Sequence, residues 1–421
     1  MSGNLLPTLQ MADAGRLTGR TIDQETLATA GNIIATVRRQ GRAGLLALGR
    51  EYSDLGPRGQ LVYTNKELKA ARDRLPADQR QLLERTAQRI ASFAEAQRAC
   101  LSDLSIEIQG GRAGCRYMPV NRAGCYAPGG RYPLPSSVLM TAVTAKAAGV
   151  AEVWVASPRP GDITLAAAAI GQADSLVAAG GAQAIAAMAY GVEGVPACDV
   201  IVGPGNKYVT AAKQLVTGQV GIDMLAGPSE LVIVADDSAD PAMVAADLLA
   251  QAEHDPDAVP VLVALASSLV AAVKAELELQ MLDLPTANIA ALALQNGGAI
   301  VVADIKQAIE FCDDLAPEHL ELMVSNPDQV AKKFQKFGAM FLGSNSAEVL
   351  GDYGAGPNHV LPTGGTARFT GPLSVQNFLV GRTWLQMDPG RAADAVISDS
   401  IALARLEGLE AHARSAQRRC R

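Results

Sequence analysis

The stretch 226–256, AGPSELVIVADDSADPAMVAADLLAQAEHDP, constrains the fold of this chain more than any other. Its run 231–235 is continuously apolar, as a parallel strand covered on both faces requires. Asp240-Pro241 then supplies an N-cap and a proline suited to the first helical turn, so a helix follows closely. A strand that passes directly into a helix belongs to an α/β layer. Within that helix Asp247, Gln251 and His254 fall at i, i+4 and i+7 and share one polar face, and Asp255-Pro256 ends the helix directly after them. A glutamine and a histidine three residues apart can reach one metal ion or one polar ligand. A capped, solvated helix end is the alternative that this segment by itself leaves open.

The same rhythm recurs on both sides. Apolar runs at 150–156, 175–178 and 200–202 read as buried strands, separated by helices near 136–148, 164–170, 182–190 and 208–217. A second series places strands at 261–265, 299–303, 320–324 and 339–342, with helices near 267–279, 305–315 and 328–337. Two such series predict two parallel sheets facing a cleft. Before about residue 110 the chain reads as helical, with Gly31, Gly41 and Gly44 as weak points in the first long helix. Beyond about 373 the periodic signal stops, and 391–419 reads as a helical terminus. Six of the 40 glycines stand in three small-residue turns: Tyr126-Ala-Pro-Gly-Gly130, Gly180-Gly-Ala-Gln183 and Gly203-Pro-Gly-Asn-Lys207. These belong at the carboxyl ends of strands, where open sheets bind ligands. Glycine lets backbone approach a nucleotide, and Tyr126, Gln183 and Asn206 supply a ring and amides to hold it. No GxGxxG is present, and plain tight turns fit the same residues.

A formal net charge of -7, without a long Lys/Arg run apart from the short tail 414–421, argues against nucleic acid as a partner. No basic region followed by an apolar core opens the chain, and no stretch suits a membrane span. The six cysteines show no CxxC, which fits reduced thiols in a cytoplasm. The four histidines, His254, His319, His359 and His412, each stand beside other polar functional groups. Asp352 and His359 lie in a glycine-rich loop, and with Gln251 and His254 they can form a mixed N/O site for which zinc is a suitable metal. Glu318 and His319, at a loop-to-strand junction, offer an acid/base pair, with a near-neutral imidazole and a carboxylate able to take a proton from water.

Assembled, these residues resemble the L-histidinol dehydrogenase family, NAD- and zinc-dependent enzymes of the last two steps of histidine biosynthesis. The resemblance rests on YAPGGRYPLPSSVLM (126–140), GGAQAIAAMAYG (180–191), VGPGNKYV (202–209), GIDMLAGPSE (221–230), DLLAQAEH (247–254), LAPEHLEL (315–322), GPNHVLPTGGTARF (356–369) and EGLEAH (407–412). The stretch 50–61 departs from the family's usual pattern. The resemblance implies zinc held by Gln251, His254 and Asp352 with His412 from the other subunit of a homodimer. It implies NAD on Tyr126, Gln183 and Asn206, and substrate gripped by Ser229, His319, His359 and Glu407 together with the metal ligands. Glu318 and His319 become the catalytic acid/base residues, and Asp247 a neighbour of the ligands.

The resemblance also implies two incomplete Rossmann-like parallel-sheet domains, a helical N-terminal segment (1–23) and a small helical C-terminal arm (374–421) exchanged in the dimer. Residues 24–125 and 230–373 are expected to form a first, discontinuous domain with the zinc and acid/base residues, and 126–229 a second that binds NAD. The expected reaction is oxidation of L-histidinol to L-histidine through L-histidinal with two NAD reduced. Some family members oxidise a sulfonated propanediol, so a dehydrogenase of another small polar alcohol is the alternative.

Overall fold

The computed structural model describes residues 5–17, 22–129 and 133–420; Gly130 of the first glycine-rich turn, Arg421 of the basic tail, and residues 1–4 and 18–21 of the N-terminal segment lie outside them. In chain order the strands are β1 Val62–Thr64, β2 Leu104–Ile108, β3 Gly111–Pro119, β4 Arg122–Tyr126, β5 Glu152–Ala156, β6 Ser175–Val177 and β7 Val200–Val202. They continue with β8 Gly221–Ile222, β9 Glu230–Ala235, β10 Val259–Ala264, β11 Gly298–Val301, β12 His319–Met323, β13 Ala339–Leu342 and β14 Leu379–Met387. Among the described residues they form three sheets, ordered β1-β6-β5-β4-β7-β8, β11-β10-β9-β12-β13 and β14-β3-β2.

The first two are the α/β sheets expected from the apolar runs. In the first, only β1 is antiparallel, with Val62 opposite Val177. In the second every pairing is parallel, and His319 stands opposite Leu231. Both are covered on both faces, which is why β9 and β10 are buried throughout and read as continuous rather than alternating apolar runs. Helices Ala77–Ala99, Pro135–Ala147 and Asp162–Ile170 cover one face of the first sheet, and Gln24–Glu51, Gly181–Tyr190 and Lys207–Val216 the other. On the second sheet Pro241–Ala252, Ser267–Gln280 and Ala287–Asn296 lie opposite Ile305–Leu315.

Four expectations are corrected. Residues 24–125 do not join 230–373: β1 and β4 are strands of the first sheet, and the long helices 24–51 and 77–99 pack on it. Strand pairing decides this, because Ala123–Cys125 bond to β5 on one side and β7 on the other. The second sheet is instead extended by the N-terminal segment, where Leu9 N–H donates to the Ala299 carbonyl at 2.8 Å. Next, 104–119 is not helical, and the arm 374–421 begins with a strand: β14 pairs with β3 from Leu379–Pro119 to Met387–Gly111. Strand β2 does carry the alternation Leu104-Ser105-Ile106-Glu107-Ile108, although all of it but its last residue is exposed. Last, the helix read at 328–337 stops at Ala331, since Asp313 accepts the N–H groups of Gln335 and Lys336 and holds the chain out of it. Gly41, with φ of 56°, does break the first long helix.

The two sheets present opposite ends to each other. The glycine-rich turns leave the carboxyl ends of β4, β6 and β7, whereas Glu230 and His319 are the first residues of β9 and β12. A loop from the second half reaches the helix Pro135–Ala147: Asn358 Nδ2 donates to the Met140 carbonyl at 2.8 Å, and Ser137 Oγ lies 3.4 Å from His359 Nε2.

Candidate active site

Glu318 and His319 are carried in by a backbone turn. Helix Ile305–Leu315 ends at Ala316, whose left-handed conformation (φ 51°) swings the chain through Pro317 into the start of β12. A residue with a Cβ pays roughly 1–2 kcal/mol for that conformation. His319 is 3% exposed, and its Nδ1 lies 2.9 Å from the Glu230 carbonyl oxygen. That nitrogen therefore carries the proton and donates, leaving Nε2 with its lone pair. Nε2 has no hydrogen-bond partner among the described residues and faces the carboxyl groups of Glu348 at 3.8 Å and Asp352 at 3.9 Å. Burial pulls His319 down to about 4, against the attraction of Asp352, so the near-neutral value expected from sequence is corrected and the ring is a neutral base. Glu318 Oε2 accepts the Glu230 N–H at 2.8 Å, and the Ser229 hydroxyl bonds the same carboxyl group. Burial pushes Glu318 well above the usual carboxylate range, and the charges of Glu230 and Asp352 add to it.

The helix after β9 begins as expected, with the Asp240 side chain accepting the Ala242 N–H at 2.9 Å. It ends at Ala252, so His254 lies just beyond it, with its N–H 3.4 Å from the Gln251 carbonyl. Gln251 is wholly buried, and neither atom of its amide has a hydrogen-bond partner among the described residues. An orphaned buried amide costs on the order of 1–3 kcal/mol unless something absent here completes it. One ligand atom each from His254, Glu348 and Asp352 lie within 4.8 Å of one another, with His254 Nε2 4.0 Å from Asp352. Glu348 went unread in the sequence, although its spacing of four residues before Asp352 puts both on one face of the helix Glu348–Asp352. It is 1% exposed, neither carboxylate oxygen has a partner among the described residues, and burial pushes it well above the usual range. Asp352 and His359 do come together, His359 Nδ1 donating to the Asp352 carbonyl at 2.9 Å. A cavity of about 370 Å³ opens here, lined among others by His319, Phe341, Leu350, Asp352 and His359.

At the carboxyl ends of the first sheet the expected residues are internally bonded. The Tyr126 hydroxyl accepts the Gly181 N–H at 3.1 Å, and burial pushes it up to about 12. Gln183 Nε2 donates to Asp54 at 2.6 Å, and Asp54 also accepts the Gly180 N–H at 2.9 Å. Asp54 lies in the stretch 50–61, where the sequence departs from the pattern of the resemblance. Asn206 caps the helix Lys207–Val216, accepting from Tyr208 and Val209 at 3.1 and 3.2 Å. Gly203, at φ 116°, sits where a Cβ would meet the Tyr126 carbonyl oxygen at 2.0 Å, so this turn admits only glycine. Its N–H donates to Asp223 at 2.7 Å, and the buried Lys213 ammonium pairs with the same carboxylate.

Glu407 and His412 are not brought to this cluster. Both are exposed, Glu407 in the turn that ends the helix Asp394–Leu406 and His412 on the helix Glu410–Gln417, and these two terminal helices pack mainly on each other.

The model of the family described as histidinol dehydrogenase matches residues 18–420. A histidinol dehydrogenase from Thermus thermophilus is 46% identical over 403 residues, covering 94% of this chain and 95% of the relative. One from Parasynechococcus marenigrum is 43% identical over 418 residues, covering 97% and 95%. The crystal structure of histidinol dehydrogenase from Elizabethkingia anophelis superposes with a TM-score of 0.92 at 30% identity, covering 100% of this chain and 99% of that one.

Proposed function

The chain belongs to the histidinol dehydrogenase family, and on that premise we propose that it oxidises L-histidinol through L-histidinal to L-histidine, the closing steps of histidine biosynthesis, with two NAD reduced. The observation that carries the reading is the buried, neutral imidazole of His319 with an unpartnered Nε2 at the cavity wall. It is a proton acceptor held in one orientation, as oxidation of an alcohol needs. The relatives found give no support to a sulfonated propanediol as substrate.

His319 Nε2 takes the hydroxyl proton of the alcohol in the first oxidation. Glu318, whose proton affinity is raised by burial, serves as the stronger base once ionised and draws a proton from water attacking the aldehyde before the second. Zinc fits the donors present: His254, Glu348 and Asp352 bring one ligand atom each within 4.8 Å of one another, and the Gln251 amide, on the same segment as His254, has no hydrogen-bond partner among the described residues. Glu348 faces the same place and suits the ammonium of the substrate or the ion itself. Bound zinc would supply a Lewis-acidic anchor for the imidazole and amine nitrogens of the substrate, and bound NAD the hydride acceptor. Ser229, His359 and Glu407 complete the substrate grip, and Tyr126, Gln183 and Asn206 stand at the glycine turns assigned to NAD.

A homodimer accounts for the two residues left outside. The terminal helices expose Leu403 at 59% and Leu406 at 84%, and the sheet of β2, β3 and β14 exposes Leu385 at 65%. Apolar surface of this kind suits an interface, across which His412 and Glu407 would enter the partner's site. No helix among the described residues is long and apolar enough to cross a membrane, and all six cysteines are free thiols. The cytoplasm suits such a chain.

A steady-state assay counting NADH formed per molecule consumed, with histidinol, histidinal and dihydroxypropanesulfonate as substrates, tests the reading. Two NADH per histidinol and one per histidinal are expected; one per histidinol, or turnover of the sulfonate alone, would sink it.

A further inference from the structure

Two carboxyl groups near this site, the half-buried Asp247 and the buried Glu321, do not line the cavity. Glu321 stands two residues after His319 and so on the same side of β12. It is an acid in an otherwise buried strand, 1% exposed, and its Oε1 accepts the Glu348 N–H at 2.6 Å. Asp247, one helical turn before Gln251, brings its carboxyl group within hydrogen-bonding reach of Glu321. No N–H or hydroxyl donor among the described residues meets Glu321 Oε2, so two carboxyl groups in contact need one proton between them. Burial raises the proton affinity of both groups, and the Asp247 charge raises that of Glu321 further.

We propose that Asp247 and Glu321 form a hydrogen-bonded carboxyl bridge that positions the helix Glu348–Asp352 against β12 and the helix Pro241–Ala252. The bridge touches all three elements that carry the site: Gln251 on the long helix, His319 on the strand, and Glu348 with Asp352 on the short one. Burying the Glu321 carboxyl is unfavourable where an apolar side chain would fit, so simple core stability does not account for it. The short helix has five residues, too few to be held by its own hydrogen bonds, and Glu321 fastens its first N–H. Both are positioning residues, and the inference rests on the site reading given above.

The test uses the full-length protein. Glu321→Gln keeps an amide N–H to donate to Asp247 and a carbonyl to accept from Glu348, whereas Glu321→Leu fills the space and does neither. Hydrogen exchange over 346–353 in metal-free protein, zinc affinity by chelator competition, and kcat/KM with histidinol and NAD are measured for both. Glu321→Leu should speed that exchange and lower zinc affinity and kcat/KM about 10- to 100-fold, with Glu321→Gln close to wild type. Wild-type behaviour of Glu321→Leu, or equal damage in the two variants, overturns the bridge. Should Glu321→Leu fail to fold, Asp247→Asn against Asp247→Leu decides in the same way, because the asparagine amide can donate to an ionised Glu321. A wild-type protein that forms no NADH from histidinol would instead defeat the site reading, while exchange and zinc affinity still judge the bridge.

Discussion

The two parallel sheets are built alike and finished differently. At the turns leaving β4, β6 and β7, the polar side chains are satisfied within the protein: Tyr126 by Gly181, Gln183 by Asp54, Asn206 by its helix, Asp223 by Lys213 and Gly203. At the amino ends of β9 and β12, the Gln251 amide, both oxygens of Glu348 and His319 Nε2 have no partners among the described residues. A frame that satisfies its own side chains offers backbone and shape, as recognition of a cofactor requires. A cluster that leaves buried polar atoms open is where a ligand would complete them, as the proposed function uses it. On the proposed reading the contrast also departs from the usual rule that open sheets work at their carboxyl ends, which would then describe only the first sheet.

The sharpest way to break the contrast is His319→Asn, which can still donate to the Glu230 carbonyl but has no basic nitrogen. It should lower kcat about 10²- to 10⁴-fold with zinc content unchanged, measured by single-turnover NADH formation. A loss under tenfold would move the proton acceptor elsewhere.

Next in size is complementation between subunits. Gln251→Ala and His412→Ala should each be inactive, yet mixed and co-refolded they should regain roughly a quarter of wild-type activity, since half the dimers are mixed and each has one intact site. Activity no higher than the sum of the parents, with mixed dimers present, places His412 in its own subunit's site.

On the other side of the contrast, Asp54→Ala leaves the Gly180 N–H and the Gln183 amide unpaired. It should cost roughly 1–3 kcal/mol in urea unfolding and raise the KM for NAD more than it lowers kcat. A fall in kcat with an unchanged KM for NAD would place Asp54 with the chemistry instead.

The smallest effect concerns pH. The folded value of His319, about 4, lies below its ordinary 6.5, so the unfolded chain binds the extra proton first. The stability contributed by this neutral ring is complete above pH 6.5 and is lost as pH falls toward 4. Urea midpoints over that window should fall more steeply for wild type than for His319→Asn, and parallel curves would mean the ring is not held neutral.

Much of the site was legible before any coordinates. Gln251, His254, Glu318, His319, Asp352 and His359 stand out because each is a functional type at a turn or helix end. Glu348 and Glu321 were legible only in part, as an acid four residues before Asp352 and an acid two residues after His319, since neither spacing reveals burial. Asp54 gave no sign, because its meaning lies in a bond to Gln183, 129 residues away.

The sequence by itself determined most of the alternation of strands and helices between 150 and 342, the sharp turns and the chemical types at their ends. These follow from local periodicity and from backbone limits such as those at Gly203 and Asp240-Pro241. Only the tertiary structure decided which strands share a sheet, joining β1 to β6 and β3 to β14, and how deeply His319, Glu318 and Glu348 are buried. Pairing and desolvation depend on what distant segments place beside a residue, and no local pattern contains that.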